Sequence, residues 1–121
     1  MEFEFYLDAD KIVIDLEFAP DPLEYTFRVK VQNNRDSDLY FKFVCNVPNW
    51  TVESPTNGEL GVISAGAVVD KTIKITRSNP GSELTETGTF VLEAYSDSGY
   101  TNLVDSAELD VTIDIVDGKT W

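Results

Sequence analysis

Aspartates within three turn-like segments, two of which hold a pair, are the feature of this sequence most able to do chemistry. Each segment combines aspartate with small turn-forming residues, and loop oxygens of this kind are the ligands that hard cations such as calcium prefer. None of the segments has the spacing of an EF-hand loop, and turn carboxylates also cap backbone N–H groups. Calcium is therefore a candidate cofactor and no cofactor is the favoured interpretation; the candidate ligands are Asp8, Asp10, Asp36, Asp38 and Asp97.

Three aromatic residues near turn signals are candidate ligand contacts. Trp50 follows a Pro-containing turn, where an indole either closes the end of a β-sandwich or, if exposed, stacks on a sugar; closure is the favoured interpretation. Tyr95 and Tyr100 flank the turn at Ser96–Gly99 and could form a small recognition surface, although such aromatics are also ordinary packing. Asn49–Thr51 matches the glycosylation sequon, a short match that arises easily by chance.

The composition offers little for catalysis. Histidine, the commonest proton carrier, is absent, so no Cys/His zinc pattern can be written. The lone cysteine, Cys45, falls on an apolar alternation with Phe41 and Phe43, which predicts a buried and unreactive thiol. A glycosidase-like pair of carboxylates would need a cleft, which small sandwiches rarely have. We expect no enzymatic activity.

The chain carries a strongly negative charge. Nine basic residues against 22 acidic residues give a net charge of −13, which repels nucleic acid phosphates and anionic lipid headgroups and excludes both as direct partners. Such a surface suits a salty or calcium-rich exterior, a cationic partner, or simply solubility. The expected partners are another protein or neighbouring domains of the same polypeptide, with carbohydrate as an alternative.

No targeting signal can be recognised in the sequence. No apolar run approaches the roughly 18 residues that cross a bilayer, and the segment after Met1 lacks the basic start and apolar centre of a signal peptide. The chain is therefore either cytoplasmic or a domain excised from an extracellular or cell-surface protein. The second is favoured because the chain stops just past a strong strand pattern.

Apolar and polar residues alternate through most of the chain, which is the period of a strand with one buried face. The clearest case is Leu23–Gln32, and the alternation recurs at 39–47 and 107–115. No segment has the spacing of a long helix, and 78–87 is predicted as a loop. The 121 residues fit a single domain over 1–121 that buries about two thirds of its unfolded surface. Seven to eight short strands predict an all-β, immunoglobulin-like Greek-key β-sandwich.

Four segments resemble parts of known domains. Tyr25–Asn34 and Asp38–Phe43 are similar to the strand, Asn-containing turn and strand of bacterial and archaeal cell-surface Ig-like domains, and Gly61–Gly66 and Gly88–Tyr95 resemble their small-residue turn and Gly-started strand. The similar families are the CARDB-type adhesion-like modules and the Ig-like domain beside alpha-galactosidase catalytic domains. The resemblance spans about residues 23 to 116 and implies an accessory module of a surface or secreted protein, acting as spacer, adhesion unit or scaffold. No functional residue carries over.

Three classes of function follow. A spacer or protein-interaction module is favoured, because the sequence shows a core and turns without convergent polar groups. A carbohydrate- or calcium-binding adhesion module would require exposed Trp50, Tyr95 or Tyr100 near an acidic loop. A small enzyme would require a cleft with perturbed carboxylates. The edge strands of an open sandwich could also accept another chain by strand addition.

Overall fold

Two packed β-sheets form the part of the chain that the computed structural model describes, residues 3–7, 11–15 and 21–116. In chain order the strands are β1 (Phe3–Leu7), β2 (Lys11–Asp15), β3 (Leu23–Asn33), β4 (Leu39–Asn46), β5 (Thr51–Ser54), β6 (Glu59–Ile63), β7 (Val68–Arg77), β8 (Leu84–Tyr95) and β9 (Leu103–Val116). The four-stranded sheet has the order β1-β3-β7-β5, and the five-stranded sheet has the order β2-β9-β8-β4-β6.

Consecutive strands at both edges of the sandwich belong to different sheets, so the chain crosses from one sheet to the other there. On one side β1 pairs antiparallel with β3, and the next strand, β2, pairs parallel with β9 in the opposite sheet. On the other side β5 pairs with β7, and β6 then pairs with β4. The links from β3 to β4 and from β7 to β8 also cross between the sheets. The predicted Greek-key, immunoglobulin-like sandwich is confirmed.

The alternation in β3 shows how the sequence builds the core. Phe27, Val29 and Val31 are buried, whereas the residues between them are exposed, because successive side chains of a strand point to opposite faces. Phe27 stacks on Phe90 of the opposite sheet with ring centroids 5.2 Å apart and packs against Phe43 at 5.7 Å. These aromatic contacts join the two sheets at the centre of the core.

The strands differ in number and in one boundary from those expected. There are nine among the described residues rather than seven to eight. Alternation alone does not separate β1 from β2, which join different sheets. The predicted loop over 78–87 is shorter than expected, since β8 begins at Leu84 and pairs from there with β9. Glu86 occupies an inward position of this segment and is buried, which interrupts the apolar pattern.

The passage from β5 to β6 requires a glycine. A short 3-10 turn, Thr56–Gly58, joins these strands, and Gly58 has a φ of 73°. A Cβ at Gly58 would lie 2.0 Å from the backbone oxygen of Phe43. Both the positive φ and this close approach exclude a larger residue.

In the described part of the chain, no helix has the length and apolar character needed to span a membrane.

Candidate functional site

A row of aromatic and aliphatic side chains crosses one end of the outer face of the five-stranded sheet. Strand pairing places Val62 opposite Tyr40, Tyr40 opposite Tyr95, and Tyr95 opposite Leu103, and directly opposed residues share one face of a sheet. Val62 is 50% exposed and Leu103 is 51% exposed, while both tyrosines are half-buried. We call these four residues, Val62, Tyr40, Tyr95 and Leu103, together with Tyr100, the tyrosine patch.

Tyr100 reaches the row from the turn between β8 and β9. Its φ of 56° lies in the left-handed region, which few non-glycine residues adopt. The ring packs edge-on against Tyr40, with centroids 6.1 Å apart, and against Tyr95 at 5.7 Å. The Tyr100 hydroxyl accepts a hydrogen bond from the backbone N–H of Gly61 at 3.0 Å. Tyr100 thus ties the turn to the edge strand β6 and occupies one of its backbone donors.

Carboxylates surround the tyrosine patch. The Tyr95 hydroxyl donates to Oε1 of Glu93 at 2.8 Å, and burial, this hydrogen bond and the nearby charges of Glu93 and Asp97 raise the pKa of Tyr95 to about 12. Burial also raises the pKa of Tyr100, and the charge of Glu59 adds to the effect. The hydroxyls of Tyr95 and Tyr100 therefore stay protonated at neutral pH, in a negative local field.

Two of the three predicted calcium ligands that the structure describes, Asp38 and Asp97, accept hydrogen bonds from backbone N–H groups. Asp97 accepts hydrogen bonds from the backbone N–H groups of Thr101 and Asn102 and from the Thr101 hydroxyl. These bonds lower the pKa of Asp97. Asp38 accepts the N–H of Ala65 at 3.0 Å. Two of the three described candidates thus already satisfy backbone donors.

The remaining acidic candidates are Asp36, Asp8 and Asp10. Asp36 is exposed in the loop between β3 and β4, while Asp97 belongs to the turn between β8 and β9. Asp8 and Asp10 lie outside the described residues. Within 3–7, 11–15 and 21–116, no three acidic or cysteine side chains are grouped closely enough to hold a metal ion. The prediction that no cofactor is bound, with calcium as the alternative, is one for solution measurements to test.

Trp50 lies in the core at the end of the sandwich. Its side chain is 3% exposed, and its indole N–H donates to Oε1 of Glu86 at 2.9 Å. The ring therefore offers no surface on which a sugar could stack. Trp50 is corrected from a candidate ligand contact to a core residue, in agreement with the favoured interpretation that it closes the end of the sandwich. Only Tyr95 and Tyr100, of the three predicted aromatics, lie together near the surface.

Glu86 is a buried carboxylate whose role the sequence did not reveal. Besides Trp50, it accepts a hydrogen bond from Nδ2 of Asn49 at 2.8 Å and forms an ion pair with the Arg77 guanidinium. Burial by itself raises the pKa of Glu86, but the donors Asn49, Arg77 and Trp50 outweigh it, so the pKa lies below its ordinary value. An ionised carboxylate with both oxygens occupied is a poor proton donor.

Cys45 follows the predicted inward row of β4 but is only half-buried. Burial raises the pKa of its thiol, and a backbone hydrogen bond at Val47 opposes this only in part. Because the thiolate is the nucleophile, the raised pKa makes Cys45 less reactive at neutral pH.

Two further residues with structural roles, Tyr40 and Asn33, were not predicted from the sequence. Tyr40 is the centre of the tyrosine patch, but its proximity to Tyr95 depends on strand register, which alternation alone does not give. Asn33 is fully buried, and its side-chain amide donates to the carbonyl oxygens of Ser37 and Ile63. A polar residue at the end of an apolar alternation was the one signal that could have indicated a buried Asn.

Comparisons with known proteins identify the fold only. No family model matches the sequence, and no curated protein matches it either. Among solved structures, WR4, a C. elegans member of the MSP family, is 14% identical with a TM-score of 0.52, covering 93% of this chain and 97% of its own. A PapD-like domain of human CEP192 is 10% identical with a TM-score of 0.52, covering 96% and 84%.

A bacterial complex extends the same likeness. The structure of the Salmonella enterica SafA pilin in complex with the SafB chaperone is 11% identical with a TM-score of 0.53, covering 98% of this chain and 57% of that one. At identities this low, the likeness shows a shared Ig-like, MSP- and PapD-like sandwich fold and carries no information about activity. Neither the CARDB-type nor the alpha-galactosidase-associated family is shown by these matches.

Proposed function

We propose that this chain is a non-catalytic protein-interaction module whose binding surface is the tyrosine patch. The observation that carries the proposal is the continuous row from Val62 through Tyr40 and Tyr95 to Leu103, with Tyr100 packed over it. Tyrosine is enriched at the energetic centres of protein interfaces, because it combines a large apolar ring with a polar tip. Half-exposed aliphatic side chains at both ends give the patch a partner-accessible rim.

The buried polar groups support a non-catalytic role. Glu86 is the buried carboxylate of the described residues, and its lowered pKa suits an ion pair rather than an acid catalyst. Every buried side-chain nitrogen or oxygen in this part of the chain has a hydrogen-bond partner. The hydrogen bonds of these buried atoms are thus made within the fold.

The setting we propose is an accessory domain of a larger surface or secreted protein. The resemblance of Tyr25–Asn34 and Gly88–Tyr95 to cell-surface Ig-like modules supports this setting. The matched Salmonella structure is a chaperone–pilin complex, so a sandwich of this shape takes part in a protein complex there. A spacer without any partner is the simpler alternative, and the experiment below separates the two.

Selection from a displayed library of random peptides tests the proposal. Peptides selected on the unmodified chain are then measured against a patch variant, Tyr40→Ser with Leu103→Ser, which leaves the hydrogen-bonded hydroxyls of Tyr95 and Tyr100 in place. The control is Val13→Ser with Val68→Ser, which removes two other exposed aliphatic side chains.

The patch variant should weaken binding by about tenfold or more, since loss of a central aromatic contact costs about 2 kcal/mol. The control should bind as tightly as the unmodified chain. Peptides that bind the patch variant equally well would contradict the proposal, and so would a selection that yields no binder.

A further inference from the structure

Charge around the tyrosine patch indicates what kind of segment would bind there. The next row of the same face runs from Glu59 through Lys42 to Glu93, so the one cation of this row lies between two carboxylates. Farther along the face, β9 presents Glu108 and Asp110 opposite outward positions of β8. The surface beside the tyrosines is therefore negative, and it attracts cationic groups.

The opposite face of the sandwich has a different charge. There β3 presents Arg28 and Lys30, and Lys74 of β7 bridges Glu24 at 2.9 Å and Glu53 at 2.8 Å. Cations and carboxylates alternate on this face, whereas carboxylates dominate beside the tyrosine patch. Among the described side chains, charge is thus unevenly distributed between the two faces, and the uneven distribution favours the patch as the docking point for a cation.

We infer that the tyrosine patch binds an extended, arginine-containing segment of a partner protein; this inference rests on the proposed function. A guanidinium group stacks on tyrosine faces and also pairs with carboxylates in a planar, two-point geometry. Glu93 places a carboxylate on Tyr95 itself, so both interactions are available at one position. The aliphatic stem of the arginine packs on Val62 and Leu103.

The segment lies across the outer face rather than adding to the edge of the sheet. Strand addition needs free backbone donors on the edge strand. On β6 the N–H of Gly61 is already bonded to the Tyr100 hydroxyl, and a new strand there would have to displace Tyr100 from the patch. Binding across the face keeps that hydrogen bond.

Titration with defined peptides tests the inference. The probe is a short peptide of alternating arginine and threonine, and the comparison peptide carries neutral citrulline in place of each arginine. Affinities are measured by calorimetry for the unmodified chain, for Glu93→Gln, and for Asp70→Asn. Asp70 lies on the opposite sheet, where it pairs across from Lys30, so its substitution makes the same change in net charge away from the patch.

The arginine peptide should bind about tenfold more tightly than the citrulline peptide, because stacking and ion pairing are both lost without the charge. Glu93→Gln should weaken the arginine peptide about fivefold, and Asp70→Asn should change it by less than about twofold. The two peptides are compared on the unmodified chain, so this result does not depend on whether a variant folds.

Three results would overturn the inference: equal affinity for the two peptides, equal weakening by Glu93→Gln and Asp70→Asn, or no binding of the arginine peptide at about millimolar concentration. Library-selected peptides that depend on Tyr40 and Leu103 but contain no arginine would overturn this inference and leave the proposed function standing. Loss of all patch dependence would overturn both.

Discussion

Glu86 brings a negative charge into the interior, and its donors determine what that charge contributes to stability. The carboxylate is 7% exposed and is held by Arg77, Trp50 and Asn49. Because folding lowers the pKa of Glu86, the ionised form stabilises the native state above the unfolded pKa of about 4.3. This contribution is lost as the pH falls through the lower pKa of the folded state.

Glu86→Gln should lower the free energy of unfolding at pH 7 by about 3 kcal/mol, because it leaves the Arg77 guanidinium without its buried partner. Urea unfolding from pH 7 to pH 3 measures this. The difference between the unmodified chain and the variant should begin to shrink as the pH falls below the unfolded pKa of about 4.3, and should shrink further as the pH falls through the lower pKa of the folded state. A difference that stays constant over this range would contradict the account of the ion pair.

Residue roles followed from the sequence where they depend on local chemistry. Tyr95 and Tyr100 flank one turn, so their proximity could be expected from their spacing, and their rings are in contact. The contact of Trp50 with Glu86 joins residues 36 positions apart and leaves no local trace. The contact of Tyr40 with Tyr100 joins residues 60 positions apart and likewise leaves no local trace.

At the scale of elements, the passage from β5 to β6 moves the chain from one sheet to the other within a very short turn. Gly58 sits at this passage with its φ of 73° and nearly touches the backbone of Phe43. The turn thereby places β6 against β4. β6 carries Val62 of the tyrosine patch and Gly61, whose N–H donates to the Tyr100 hydroxyl. Close packing here sets the position of one end of the patch.

Gly58→Ala should destabilise the fold by about 3 kcal/mol, because the added methyl group collides with backbone that cannot move aside. Gly66→Ala is the matched control, since Gly66 has a φ of 76° and nothing within 4 Å of its Cβ position. The control isolates the cost of a positive φ, about 1 kcal/mol. Equal losses in urea unfolding would show that the contact with Phe43 is unimportant.

Strand alternation predicted most elements but not their partners. β3 and the second half of β9 appear in the sequence as unbroken alternations and form long strands. The start of β8 was missed because its inward position is Glu86 rather than an apolar residue. Pairing in the sheets, including the parallel contact of β2 with β9, depends on contacts distant in sequence.

For the whole molecule, the net charge of −13 bears on both solubility and ion binding. Self-repulsion of this size weakens the folded state, and any salt relieves it by screening. A specific calcium site would add to that general effect. Asp38 and Asp97 already cap backbone groups, so we propose that calcium acts on this chain only through screening.

At matched ionic strength, calcium and magnesium should therefore raise the midpoint of thermal unfolding by the same amount. Each ion is added at about 5 mM, a concentration above the range typical of extracellular calcium sites. A ligand that binds only the folded state must raise the midpoint further. A rise seen with calcium and reversed by chelator, but not seen with magnesium, would contradict this expectation and restore the acidic loops as a site.

The central claim is that the tyrosine patch is where this molecule binds a partner, and nuclear magnetic resonance mapping tests it most directly. A library-selected peptide is titrated into the isotopically labelled chain, and changes in the backbone amide signals are followed. We predict that the largest changes occur at Tyr40, Val62, Tyr95, Tyr100 and Leu103. Changes centred on the outer face of the four-stranded sheet, around Arg28 and Lys74, would contradict the claim.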